Sequence, residues 1–202
     1  MNSTVTRPVA VGIAVLAAAV GCGSGGDTGP DLAAAPTGVG WQDYQGISLP
    51  HTDQGPKTVG QGAATGFEHS PRGAGLAALT HTIRLSVAPD SQWAQVVNAE
   101  LVPGPARDDW AINRVQLSIT GPATAEYAPK LLGYKITEYR DERTIVDVYT
   151  EYSDRSRAVN HTTVSWYGGD WRLQLPETDA TDRPVDPIDE LPPDIVTLEA
   201  PQ

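Results

Sequence analysis

Lys130-Leu-Leu-Gly-Tyr-Lys-Ile-Thr-Glu-Tyr139, Thr144-Ile-Val-Asp-Val-Tyr-Thr-Glu-Tyr152, Arg157-Ala-Val-Asn-His-Thr-Thr-Val-Ser-Trp-Tyr167 and Asp170-Trp-Arg-Leu-Gln-Leu175 follow one another with only short polar breaks, at 140–143, 153–156 and Gly168-Gly169. Branched and aromatic side chains dominate all four runs, as expected of residues that pack well on a pleated surface. The stretch therefore predicts four consecutive antiparallel strands. Alternation assigns Val146, Val148 and Thr150 to the covered face of the second strand and Ile145, Asp147, Tyr149 and Glu151 to the other face. Trp171, Leu173 and Leu175 form the apolar side of the last strand.

Upstream the period changes from two to that of helices. Ser70 is suited to cap a helix and Pro71 to occupy its first position, so Pro71 to about Val87 predicts the first helix. Pro89 to Val102 predicts a second, with Trp93, Val96, Val97 and Leu101 on one face. Asp108 is placed to cap a third, with Ala111, Ile112, Val115 and Ile119 at helical intervals, ending at Gly121-Pro122. Trp41 to Pro50 predicts a short strand or edge segment, and 51–66 a surface loop. Gly73-x-Gly75-x-x-Ala78 has the outline of a dinucleotide fingerprint, but no buried strand precedes it, so close helix packing explains the glycines better. Trp93, Trp110, Trp166 and Trp171 read as core anchors. Helices followed by a meander predict an α+β domain, with N-terminal helices packed on a curved antiparallel four-stranded meander.

The ends are of different character. Arg7 precedes an apolar run from Pro8 to Gly21 that is shorter than the roughly 20 residues needed to cross a bilayer, as in a signal-peptide core. Gly23 to Gly40 lacks apolar periodicity and reads as a disordered linker. Beyond Pro176, five Asp and three Glu stand against Arg183 alone, among Pro184, Pro187, Pro192 and Pro193. This predicts a disordered, acidic, Pro-rich tail, in which Ile195 to Leu198 could dock or add a strand. The expected organisation is a leader at 1–21, a tether at 22–40, the folded domain at 41–176 and the tail at 177–202. The net charge of -11 argues against direct nucleic-acid binding, because both surfaces would be negative. The single cysteine excludes an intrachain disulfide.

Ala19-Val20-Gly21-Cys22, followed by Gly23-Ser-Gly-Gly26, resembles the lipobox of bacterial lipoproteins, with Ala19 where Leu is commonest. The resemblance implies lipid attachment at Cys22, cleavage just before it, and a folded part held by the lipid anchor at the extracytoplasmic face of the cell membrane, among envelope protein partners. Three helices and a meander closing on Gly168-Gly-Asp-Trp-Arg-Leu173 resemble the NTF2-like cone. The run Gly66-Phe-Glu-His-Ser-Pro-Arg-Gly-Ala74 is similar to a pattern in an actinobacterial family associated with integrative and conjugative elements, for which no catalytic residues are assigned. These resemblances imply a noncatalytic interaction or scaffold component, placed in a conjugative DNA-transfer apparatus.

Chemistry has few carriers. His51, His69, His81 and His161 show no i, i+4 pair and no neighbouring cysteine, so neither a metal nor any other cofactor is expected. No nucleophile elbow or phosphate loop is present. His69 reads as a local structural residue at the start of the first helix or, alternatively, as part of a partner surface. Were the cone instead a small-ligand or isomerase-type pocket, Asp147, His161 and Tyr134 would be the nearest candidates. An enzyme should then show an enclosed cavity around a desolvated ionisable group, and a scaffold a filled core with an exposed apolar groove or strand edge.

Overall fold

The computed structural model describes residue 1 and residues 29–60, 62–177 and 183–200; Cys22, almost all of the expected leader and the start of the expected tether lie outside the described residues. Strands β1 (Gly40–Tyr44) and β2 (Ile47–His51) form an antiparallel hairpin. Strands β3 (Thr58–Val59) and β4 (Ala64–Thr65) form a second, small one. The stretch read as a surface loop is thus partly structural: Thr52 and Gln54 are buried. The Gln54 amide holds the end of the tether by accepting from Thr37 N at 2.9 Å and donating to Thr37 Oγ1 at 3.0 Å.

Helix α1 (Pro71–Val87) begins where Ser70 and Pro71 place it, with the Ser70 side chain accepting from Gly73 N. Every residue from Gly73 to His81 is buried, as are Ile83, Arg84 and Leu85. A helix apolar on all sides belongs inside a core, and α1 packs on β5 to β8 while also touching β2 and α2. Its small residues set the distance. A Cβ on Gly73 would lie 2.0 Å from the Glu68 carbonyl oxygen, which is backbone and cannot swing away. Gly73→Ala is therefore expected to destabilise the fold by about 1–3 kcal/mol, read as a lower urea midpoint at unchanged slope.

Helix α2 (Trp93–Glu100) is shorter than its sequence pattern, because Pro89 to Gln92 form a turn; Val96, Val97 and its C-cap Leu101 are buried as expected. Helix α3 (Pro105–Arg114) starts at Pro105 with Gly104 as N-cap, and Asp108 sits inside its first turn instead of capping it. The proline pair that ends one helix opens the next.

The four runs at 130–175 form β5 (Lys130–Arg140), β6 (Arg143–Glu151), β7 (Arg157–Tyr167) and β8 (Asp170–Gln174), each antiparallel to the next. They are not the whole sheet. Strand β9 (Val185–Ile188) pairs with β7 along Arg157 to Asn160, beside the part of β7 that β8 leaves free, and β10 (Val196–Thr197) pairs with β5. The sheet has six strands, in the order β10-β5-β6-β7-β8 with β9 sharing the β7 edge, and no closed barrel forms among the described residues. The expected four-stranded NTF2-like cone under helices is corrected accordingly, and so is the disordered tail. The two tail strands lie on opposite sides of the sheet, so residues 189–195 cross its outer face, where Asp194 meets Lys135 at 2.9 Å. Gly133 permits this: it lies at a register shift with φ of 154°, and a Cβ there would stand 2.2 Å from the Val196 oxygen.

Between α1 and the sheet the core is filled by Leu76, Leu79, Leu131, Tyr134, Val146, Val148 and Trp171, none more than 1 % exposed. Burial of each such aliphatic side chain contributes about 1.5–3 kcal/mol.

Candidate functional site

The enzyme candidates are divided by the sheet. Asp147 and His161 are register partners on β6 and β7, and His161 Nδ1 meets Asp147 Oδ1 at 2.7 Å on the outer face, with Asp186 of β9 at 3.5 Å from Nε2. Tyr149 lies on the same face, where burial and then the Asp147 charge push its phenol up to about 12. Tyr134 points to the inner face against Gly75, and burial raises its pKa. Asp147, His161 and Tyr134 therefore do not converge, and His161 is half exposed beneath the acidic tail instead of lining a dry pocket. Cys22 lies outside the described residues.

The desolvated ionisable groups are elsewhere, at residues the sequence did not single out. His81 and Arg84 of α1 and Glu100 of α2 are all fully buried. Glu100 Oε1 accepts from Arg84 Nε at 2.6 Å and from Ala64 N at 2.9 Å, and Oε2 lies 2.8 Å from His81 Nδ1. His81 Nε2 is 3.0 Å from the Trp171 carbonyl oxygen. A carbonyl can only accept, so Nε2 carries a proton, and the Nδ1–Oε2 contact holds one more between imidazole and carboxylate. Arg84 also donates to Gly60 O and lies over the Tyr44 ring at 4.0 Å. The void beside Arg84 is only about 20 Å³, room for about one water. The cluster ties the β3–β4 hairpin, α1 and α2 to β8. It has no space for a substrate.

The Gly66 to Ala74 run is likewise structural. Gly66 N and Phe67 N both donate to the Asp170 carboxylate, at 2.7 and 2.9 Å, and the Trp171 indole donates to Glu68 O at 3.0 Å. The His69 ring stacks on Trp166 at 3.9 Å and donates through Nε2 to Asp141 O. The run before α1 is thus fastened to the Gly168-Gly169 turn, whose two residues adopt φ of 64° and 85°. His69 has the local role, joining the start of α1 to the β5–β6 turn.

Among the described residues, a cleft of about 550 Å³ opens between α3, the outer flank of α1 and the end of β8. Its walls include Leu85, Trp110, Leu117, Ile119, Leu173 and Leu175. Next to it, apolar side chains on the last turn of α3 and just beyond its end face solvent: Ile112 is 64 % exposed, Val115 66 % and Leu117 63 %. The helix expected to run through Val115 and Ile119 to Gly121 ends at Arg114, Ile112 and Val115 are uncovered, and the buried residue of the helix is Arg114. The Arg114 guanidinium donates to Ala88 O, Leu117 O and Asp90, which fixes the chain on either side of α3. The Ile119 N–H first, then Arg114 and Ser118, hold the Asp90 carboxyl below its ordinary 3.8. A depressed carboxyl stabilises the fold above its unfolded pKa and loses that contribution as pH falls through the folded value. Asp90→Asn should therefore lower stability at neutral pH and flatten the stability profile below about pH 4, measured by urea titration across pH.

No helix among the described residues is long and apolar enough to cross a membrane, and no cluster of three or more metal-ligating residues occurs among them. The model of one family, described as "Domain of unknown function (DUF8175)", matches residues 5–192. No curated protein and no solved structure matches the chain.

Proposed function

The chain belongs to the DUF8175 family, and from that premise, which carries no activity, we propose that it is a noncatalytic interaction component of the cell envelope, held at the extracytoplasmic face by lipid on Cys22. The observation that carries this reading is the exposed pair of Ile112 on α3 and Val115 at its C-cap, beside an open apolar cleft, in a domain whose ionisable cluster is sealed. Contiguous apolar surface on a soluble domain marks a place where a partner docks. An enzyme would place a reactive group in contact with a cavity, and His81 and Glu100 have none. The lipobox-like residues support the anchor, and the resemblance of Gly66 to Ala74 supports a place beside conjugative DNA-transfer proteins.

Two measurements test this. Cys22→Ser should abolish lipid labelling and release the protein from the membrane fraction; unchanged processing and fractionation would remove the anchor from the reading. The paired variant Ile112→Asp/Val115→Asp alters only exposed side chains, so its melting temperature should stay within about 2 °C of the parent. It should lose copurification with whichever conjugative transfer protein the parent captures, and retained copurification would remove this face as the partner surface. A second reading, small-ligand binding, is favoured by the cleft itself, whose volume falls within the roughly 300–1,000 Å³ of ligand pockets.

A further inference from the structure

We propose that the cleft beside α3 binds a monoacyl lipid with an anionic head group, its chain along Trp110, Leu117, Leu173 and Leu175 and its head between Arg143 and Arg183. This rests on the ligand-binding reading of the cleft and is independent of the partner face formed by Ile112 and Val115. Three features select the ligand.

The first is the wall. The cleft is mostly apolar and continuous from α1 to the end of β8, which suits a flexible hydrocarbon chain.

The second is a pair of unpaired donors just behind that apolar wall. Arg114 and Thr82 both line the cleft, and Arg114 is 3 % exposed. The Arg114 Nε–H and the Thr82 hydroxyl have no hydrogen-bond partner among the described residues. Buried donors without acceptors are unfavourable and rare. An ester carbonyl at the head of an acyl chain is an acceptor of the right kind, and a plain alkane has none.

The third is the mouth. A second cleft, of about 390 Å³, meets the first along β7 and β8, and His161, Thr162, Gln174 and Leu175 line both. It contains Arg143 and Arg183, neither of which forms an ion pair among the described residues, with Glu177 as the opposing charge on its rim. His161 is engaged by Asp147 and Asp186 and contributes no free cation. In a chain of net charge -11, two uncompensated guanidinium groups at the end of an apolar cleft are where an anionic head would sit. A chain held at a membrane by Cys22 would meet such lipids at its working surface.

The test uses the full chain and three probes, palmitoyl lysophosphatidylglycerol, palmitoyl lysophosphatidylcholine and phosphatidylglycerol vesicles, with calorimetry and tryptophan fluorescence as readouts. The anionic lysolipid should bind saturably at one site below its micelle concentration, about tenfold tighter than the zwitterionic one at low salt. Arg143→Glu/Arg183→Glu should erase that tenfold preference while leaving the zwitterionic lipid unchanged, and Leu117→Asp should weaken both. Equal affinity for the two head groups would overturn the head assignment. No saturable binding of either lysolipid, or binding to vesicles alone that Leu117→Asp does not affect, would overturn the site. Neither arginine variant should change copurification through α3, so loss of lipid binding with retained partner capture separates this proposal from the interaction reading.

Discussion

Glu100→Ala is expected to destabilise the domain by about 3–5 kcal/mol, the usual cost of leaving buried charged partners uncompensated. For a chain of this size that corresponds to a fall of roughly 10 °C in melting temperature. The magnitude follows from how many groups one carboxylate serves. Its two oxygens accept from Arg84, His81 and the Ala64 amide, and all three side chains are completely buried. Without it the Arg84 guanidinium loses its buried anion, and the β3–β4 hairpin loses its link to α2. Glu100→Gln keeps the volume and one acceptor and should cost less. Removing both ends of the ion pair, as Arg84→Met/Glu100→Leu, should cost less than Glu100→Ala, because it withdraws the charge along with its partner. Urea unfolding of the three variants decides the matter. A loss below about 1 kcal/mol for Glu100→Ala would mean that the cluster does not hold the hairpin, and faster exchange of the Ala64 amide would locate the damage if it does.

That cluster shows where reading the sequence stops. His81 and Arg84 are three residues apart on an Ala- and Leu-rich helix, a spacing that puts them on one face. This is the only local sign that α1 buries charge; Glu100 is on another helix, and nothing in its surroundings pairs it with either. The strands at 130–175 were legible because period two is a local property and their turns are polar or Gly-Gly. The start of α1 was legible for the same reason, through Ser70 and Pro71. Sheet extent was not legible, since pairing of β9 with β7 and of β10 with β5 joins residues far apart in sequence. The prolines of the tail predict disorder, yet an edge strand tolerates proline where no ladder donor is required, and Pro187 sits opposite Ala158 on such an edge. Past Arg114 the spacing of Val115 and Ile119 continued the helical period although the helix had ended, and periodicity says which residues could share a face, not whether anything covers it. The cleft was therefore invisible from sequence, although Trp110 was noted among its aromatic residues.

Truncation after Pro176 is expected to cost about 3–6 kcal/mol and to make the domain self-associate more than the full chain does. Val196 and Leu198, 3 % and 4 % exposed, belong to the core, and loss of each removes about 1.5–3 kcal/mol of apolar burial. The same cut uncovers Tyr149, which is 3 % exposed on the outer face, and frees the β5 edge together with the Arg157 to Asn160 half of β7. Unpaired strand edges beside fresh apolar surface are templates for association. The charged contacts of the tail contribute little of this. Lys135–Asp194 and the contact of His161 with Asp186 are partly exposed, and pairs of that kind are each worth about 0–1 kcal/mol. Asp186→Asn/Asp194→Asn should therefore leave the urea midpoint nearly unchanged, whereas Leu198→Ala alone should reproduce much of the truncation's loss. Light scattering and urea melts on these variants separate two accounts of the same segment. If the truncated chain stays monomeric and equally stable, residues 185–198 merely rest on the sheet; if Leu198→Ala carries the loss and the Asp variants do not, the tail is a sixth of the sheet's architecture in strand count twice over, and its acidity is incidental to holding it there.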